Sequence, residues 1–400
     1  MRTPRIVKEI CSFLCLALAV GWPVSLHGLG LRIPNQDAEA IARGNAFVAS
    51  ADNPSAIYYN PAGITQLEGQ NFQMGMHVIS VNSRYRNRAT GAETKSKYEL
   101  QPVPQFYYTI SPTNSSLSYG VGMYAPYGLG IEWPENSPLR TLIIEGRLMY
   151  VTLNPVVAWQ IHPTLSLAAG PTLNYAQLKL RQGLAPPGDE FKFKGDDIDF
   201  GFKLGARWQP HPKLAFGVSY HSPTRIEFGG KSAPPLPYEE THASTDFPQF
   251  IIGGISYRPT EKWNIEFNID WTDWDTVDAL TFQSATPLPA FQLNWRGSFL
   301  YEIGATRYLA RGYFVSAGYF LSENSVPDRN FNPVVPDTTL HVISFGGGHK
   351  GERWNWALVG QLITGPWRTV SGNVTGGPVT ADGEYRFFNY ALTSSVGYHF

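Results

Sequence analysis

Cysteine is almost absent. The 400-residue chain has two, Cys11 and Cys15, both inside an apolar stretch near the N-terminus. A form exported and cut after that stretch carries no thiol and no disulfide, so its stability must come from elsewhere. Charge is scarce too: Asp, Glu, Lys and Arg make up 16% of the chain, against about a quarter in soluble domains. A net charge of −1 leaves no basic surface for nucleic acid. Beyond the leader no apolar run reaches about 18 residues, which excludes helical membrane spans. Catalytic and metal signatures are missing as well. There is no G-x-S-x-G elbow, and the nine histidines show no ligand spacing. Asp270, Asp273, Asp275 and Asp278 match no dedicated calcium loop. Gly346-Gly347-Gly348-His349 lacks the strand-to-helix context of a phosphate loop. No cofactor, no metal and no enzymatic activity are expected.

The leader is legible. Arg2, Arg5 and Lys8 precede an apolar run from Ile10 to Val20, and Gly21 and Pro23 end it. This is a secretory signal peptide, residues 1–27, too short for a stable span, with its cleavage point between Ser25 and Gly28. After it, aromatic residues are the abundant class, 14% of the chain. They stack on pleated surfaces and anchor at lipid headgroups.

Periodicity decides the fold class. From Trp263 to Trp271 every odd position is large and apolar and every even one is polar or charged. Side chains alternate faces along a strand, so one face is greasy and the other wet. Phe388 to Phe400 and Ile198 to Trp208 repeat the pattern. The polar face is rich in Gly, Ser, Ala and Asn, which suits a crowded lumen; the apolar face ends in Trp and Tyr, as at membrane interfaces. About fourteen such segments are predicted: 70–82, 98–111, 116–126, 146–161, 164–180, 198–209, 212–228, 248–258, 261–274, 292–308, 312–321, 338–349, 353–364 and 385–400. Short turns alternate with longer Pro- and Gly-rich loops, which places both termini in the periplasm and the long loops outside. The expectation is an all-β transmembrane antiparallel β-barrel over residues 70–400 in a bacterial outer membrane, acting as a monomer in contact with lipid and lipopolysaccharide.

Residues 28–69 do not join the alternation. Asp37 to Arg43 has a short helical pattern, and Asn53-Pro54 and Asn60-Pro61 stop any helix. Phe47, Ile57, Tyr58, Tyr59 and Ile64 make the segment too apolar for a disordered tail. A wide barrel has an interior that wall side chains alone do not fill, so this segment reads as a hatch, a plug within the lumen. Pro126 and Gly128 interrupt the third strand, since proline cannot donate to the ladder and glycine weakens it. A gap there faces lipid. An apolar cargo gains about 0.8 kcal/mol per CH₂ by staying out of water, so a side door at Pro126, Tyr127 and Gly128 is its natural exit. The following Leu129, Ile131, Trp133, Leu139, Leu142 and Ile143 are greasy for an outer loop and read as an exposed capture surface.

Several motifs in this order resemble the FadL/TodX family of outer-membrane transporters: Asn60-Pro61-Ala62 in the hatch, Tyr124 to Gly130, Trp271-Thr272-Asp273-Trp274, and Ser325 to Arg329 with Pro336-Asp337. The resemblance implies a fourteen-stranded barrel with a hatch, long-chain fatty acids or other hydrophobic molecules as cargo, and passive movement with lateral release into the membrane. Terminal Phe400 resembles the signal read by the barrel-assembly machinery. Family members that carry fatty acids use inward basic residues near the ends of the fifth and tenth strands, where Lys179, Arg181 and Arg296 fall here. A carboxylate in an apolar pocket needs a cation, and strand parity points Lys203 and Arg296 into the lumen, with Glu302 and Asp199 nearby. The candidate ligand-binding residues are therefore Arg296, Lys203, Arg181, Leu129, Ile131, Trp133 and Leu142. Alternatives are a lipase-like outer-membrane hydrolase, an adhesin, an open general porin, or a channel for aromatic hydrocarbons.

Overall fold

The computed structural model describes residues 30–184, 189–233, 238–375 and 379–400; the leader and its cleavage point lie outside the described residues. Among the described residues, fourteen antiparallel strands close into a barrel. They are β1 (Gly69–Val81, extended outward by Ser83–Arg86), β2 (Glu99–Ser111), β3 (Leu117–Tyr124 and Gly128–Glu132), β4 (Glu145–His162) and β5 (Leu165–Gly183). Then come β6 (Glu190–His211), β7 (Leu214–His221 and Thr224–Ala233), β8 (Glu239–Phe247 and Phe250–Tyr257) and β9 (Trp263–Thr272 and Ala279–Ser284). The last five are β10 (Ser298–Tyr308), β11 (Tyr313–Ser322), β12 (Leu340–Lys350), β13 (Trp354–Thr364) and β14 (Gly383–His399). The β1–β14 ladder, with Phe72 opposite Tyr398, closes the ring.

Alternation is what makes the barrel a membrane object. On β9, Ile265, Phe267 and Ile269 are exposed on the lipid side, while Asn264, Glu266, Asn268 and Asp270 are buried in the lumen. Phe200, Phe202, Leu204 and Trp208 on β6, and Phe388, Tyr390 and Leu392 on β14, face lipid in the same way. Each expected segment coincides with one of these strands. The differences lie at the outer ends: β6 begins at Glu190 and β8 at Glu239, well before the expected 198 and 248, while β10 begins at Ser298 rather than 292. Beyond the hydrocarbon, outward positions carry Lys, Asp and Glu, so the apolar alternation that marks a strand stops before the strand does.

The segment ahead of β1, expected to be a hatch, packs against the inner face of the barrel wall. From Arg32 to Ile64 every residue except Asp52 is buried. It folds as α1 (Ala38–Ala42), α2 (Ala56–Tyr59) and a 3₁₀ turn (Pro61–Gln66). Asp37 caps α1 by accepting from the Ala40 N–H. Asn60 ends α2, accepts from the Ala62 N–H, and donates through Nδ2 to the carbonyls of Val48 (2.8 Å) and of Ala206 on β6 (2.9 Å). Pro61 starts the 3₁₀ turn, where its missing N–H costs nothing. The wall makes room with glycine: a Cβ on Gly304 or Gly318 would meet the Arg43 backbone.

Candidate functional site

The site is built around the break in β3. Below it, β3 pairs with β2 from Ile110↔Tyr119 to Phe106↔Met123; above Met123 no β2–β3 ladder pairs occur among the described residues. The outer segment of β3 pairs with β4 alone. The freed backbone groups turn inward. Ala125 donates to and accepts from the Gln36 side-chain amide (3.3 and 2.7 Å), Ile33 N–H donates to Pro126 O (2.8 Å), and Gly128 N–H donates to Leu31 O (2.9 Å). Leu31 to Ile33 therefore take the place of a neighbouring strand, with Arg32 directly opposite Tyr127. Every buried amide must find a partner, and these find theirs in a segment that is not part of the wall.

The facing strand contributes too, in a way the sequence reading missed. Pro102 and Pro104 lie in β2, whose ladder to β1 is continuous from Glu99 to Ser111. Proline fits such a ladder only with its ring nitrogen on the far side, here toward the gap, so β2 presents fewer unpaired donors to lipid. Two prolines two residues apart opposite a third were the available signal. At the outer end the walls are tied again: Lys97 N–H donates to Glu132 O (2.7 Å), and Arg147 pairs with Glu99 (2.6 Å). The stretch without β2–β3 pairs is thus bounded at both ends.

Leu31 and Leu129, next to the Gly128 contact, line an apolar pocket of about 80 Å³. Leu31 of the hatch, Leu129 of β3, Ile143, Leu178, Phe247 and Trp295 contribute to its wall, and Thr245 and Asn332 are its polar lining residues. It adjoins an outer groove of about 600 Å³, with Phe291, Leu293 and Asn332 shared by both linings. Leu184, Phe282 and Leu288 make the groove greasy and Arg329 is its cation.

The expected ligand residues divide. Leu129 lines the pocket. Ile131, Trp133 and Leu142 are buried rather than exposed: Trp133 donates to Pro333 O (3.0 Å), and the stretch packs against the other outer loops. The capture surface read onto this stretch is thus a core, because the loops cover one another. Arg296 is not in the lumen; it is an exposed loop residue ahead of β10, and strand parity does not carry past a strand's end. Arg181 faces outward, held by Glu135 (2.9 Å) and Glu190 (3.1 Å). Lys203 does face the lumen, fully buried, but it bonds to His221 (2.6 Å) over the Tyr58 ring and does not line the pocket. Tyr127 points inward and donates to Pro248 O (2.7 Å).

Arg32, which the sequence reading passed over, pairs with Asp270 and Thr272 (both 2.6 Å) and stacks on Phe250. Burial shapes the hatch electrostatics: it pushes the Tyr58 phenol up to about 12 and, with Glu39 nearby, raises the Asp37 carboxyl to about 6. Of the aspartates weighed for calcium, Asp270 is consumed by Arg32. The hydrolase alternative finds no support: His221 meets Lys203 and His399 meets Asn71.

Comparison with known proteins agrees with this architecture. The long-chain fatty acid transport protein of Escherichia coli is 22% identical over 350 residues, 74% of this chain and 78% of that protein. Outer membrane protein P1 of Haemophilus influenzae is 20% identical over 360 residues, 76% of this chain and 78% of that protein. Among solved structures, a FadL homologue from Pseudomonas aeruginosa superposes with a TM-score of 0.83 at 16% identity, covering 93% of this chain and all of that one. The Pseudomonas putida toluene transporter TodX gives 0.73 at 17%, covering 95% of this chain and all of that one. Residues 27–353 match the family described as outer membrane protein transport protein (OMPP1/FadL/TodX), and the chain, a fourteen-stranded barrel, belongs to that family of the bacterial outer membrane.

Proposed function

We propose that this protein carries hydrophobic small molecules passively across the outer membrane. Cargo is captured in the outer groove, moves into the apolar pocket, and leaves sideways into lipid through the window beside Pro126, Tyr127 and Gly128. The observation that carries the reading is that one hatch segment does two jobs: Leu31 lines the pocket while its carbonyl, with Ile33 and Gln36, holds the backbone at the break. Cargo pressing on Leu31 loosens the hatch contacts that stop the window. The two relatives named for their cargo are a fatty acid transporter and a toluene transporter, and the pocket's lack of charged walls suits both hydrocarbons and acyl tails. For a fatty acid the head group stays at the groove, beside Arg329. In this reading residues 28–69 are the hatch and 70–400 the barrel, which the barrel-assembly machinery inserts with Phe400 as its signal. The chain closes its own ring, which supports a monomer.

The test exploits the missing thiols. The pattern of Ile33 N–H to Pro126 O and Gly128 N–H to Leu31 O makes Arg32 and Tyr127 a non-hydrogen-bonded antiparallel pair, with Cα atoms about 4.5 Å apart, within disulfide reach. The Arg32→Cys, Tyr127→Cys double variant, made with Asp270→Asn so that no buried charge is left unpaired, should take up hydrocarbon or fatty acid when reduced and stop when oxidised. Uptake that is indifferent to oxidation, with the bond verified, rules out the lateral route.

A further inference from the structure

A row of cations crosses the outer wall on the lipid side. Arg147 on β4 is directly opposite Lys179 on β5, Lys179 opposite Lys194 on β6, and Lys194 opposite Lys231 on β7. One step further out, Arg181 is opposite Lys192. Like charges directly opposite one another weaken a sheet, so such a row needs anions. The protein supplies them unevenly. Arg147 is held by Glu99 and Glu145, and Lys179 shares Glu145 (2.9 Å). Among the described residues Lys231 pairs with Glu240 at 3.4 Å, with both side chains more than 60% exposed, and exposed pairs of this kind contribute little. Lys192 pairs with Glu190 at 3.5 Å. Lys194 makes no ion pair among the described residues.

The row's position says what supplies the rest. On β6 the lipid-facing Ile198 and Phe200, the latter 71% exposed, give way through Asp196 to Lys194. On β5 Leu173 and Tyr175 give way through Gln177 to Lys179. The long loops lie on this side and the tight turns at 163–164 and 212–213 on the other, so the row stands at the headgroup level of the outer leaflet. A ligand that touches both the lysines and the apolar band must join anionic groups to acyl chains. With neighbouring strands about 4.8 Å apart, the three strands that carry Lys179, Lys194 and Lys231 put the ends of that set about 10 Å from each other, wider than one phosphate and suited to two carried on a disaccharide.

We propose that Lys179, Lys194 and Lys231, continued by Lys192, bind the doubly phosphorylated glucosamine headgroup of an outer-leaflet glycolipid of the lipid A type. Its acyl chains lie along Ile198 and Phe200. Phosphate is recognised here by flexible point charges rather than by a preformed fork.

The experiment measures binding of hexa-acyl lipid A to the purified full-length barrel in mild detergent by native mass spectrometry, comparing the bisphosphorylated lipid with its dephosphorylated form. Wild type should prefer the bisphosphorylated lipid by about ten-fold or more. The triple variant Lys179→Gln, Lys194→Gln, Lys231→Gln should lose that preference. A control triple at the tight-turn end, Lys213→Gln, Lys262→Gln, Arg353→Gln, should keep it. Equal binding of the two lipids by wild type overturns the proposal, and so does equal loss in the control. Inorganic phosphate displacing the lipid at comparable concentration also overturns it, since the site would then be one for free anions. Should the triple variant fail to fold, the wild-type preference and the phosphate competition still decide.

Discussion

The two ends of the lumen are filled by opposite chemistries. Toward the tight turns the hatch is held by charge: Glu39 pairs with Arg43 (3.1 Å) and Lys350 (2.8 Å), Asp52 with Arg258 (3.0 Å), and Glu266 accepts from the Ala49 and Ser50 N–H groups. Toward the long loops the lumen holds a pocket lined mostly by hydrocarbon side chains. The boundary falls between adjacent residues, Leu31 on the pocket and Arg32 in its ion pair with Asp270. A buried ion pair fixes geometry because separating its partners leaves an uncompensated charge. An apolar contact is non-directional and exchanges readily for contact with a cargo. The lower half is therefore built to stay and the upper half to yield.

The largest effect is expected from breaking the lower half. Asp52→Ala takes away the hatch partner of Arg258 and leaves Arg43 and Lys350 sharing Glu39. Docking should weaken by about 3 kcal/mol or more, seen as a steady leak current in planar bilayers where the wild type is closed. A closed variant would mean that the charges do not hold the plug.

A smaller effect should follow on the other side of the boundary. Leu31→Gln puts a polar group in the pocket wall and should weaken binding of a neutral hydrocarbon by about 1–2 kcal/mol, without adding leak. Calorimetry and conductance on the same preparation separate the two outcomes; a leak without a binding defect would place Leu31 with the anchor.

The smallest concerns pH. Asp37 caps α1 and has its carboxyl raised to about 6 by burial, with Glu39 adding to it. A folded-state value above the unfolded value of about 3.9 means that the fold favours the protonated form. The stabilisation is present in full below about pH 4 and is lost as pH rises through about 6. Leak should therefore increase modestly from pH 5 to 7.5, and Asp37→Asn should flatten the dependence. A wild type whose leak is independent of pH would remove Asp37 from the plug's stability.

How much of this was legible in the sequence depends on the range of the interaction. Alternation on β9 or β14 is a local consequence of strands in lipid, so strand positions, the inward set and the strand break at Pro126 could be read directly. Asn60 and Pro61 marked the hatch because an Asn-Pro step disfavours helix wherever it occurs. The head-group cations could not be read this way. Arg296 lies beyond the end of a strand, where parity has no meaning. Arg181 does sit in a strand but on its outward face, and Lys203 is inward yet spent on His221. Trp133 and Leu142 looked like an exposed patch because nothing local says that other loops will cover them.

The sequence by itself determined a membrane barrel, since a two-residue period and the lack of long apolar runs are properties of single segments. Tertiary structure alone decided what each inward and outward face meets. Leu31 came to the pocket wall and Arg32 to Asp270, 238 residues away. Two prolines of β2 came to face the break in β3, and lysines from separate strands were set in one row. Ring closure and strand register bring these together, and neither is encoded in any one strand.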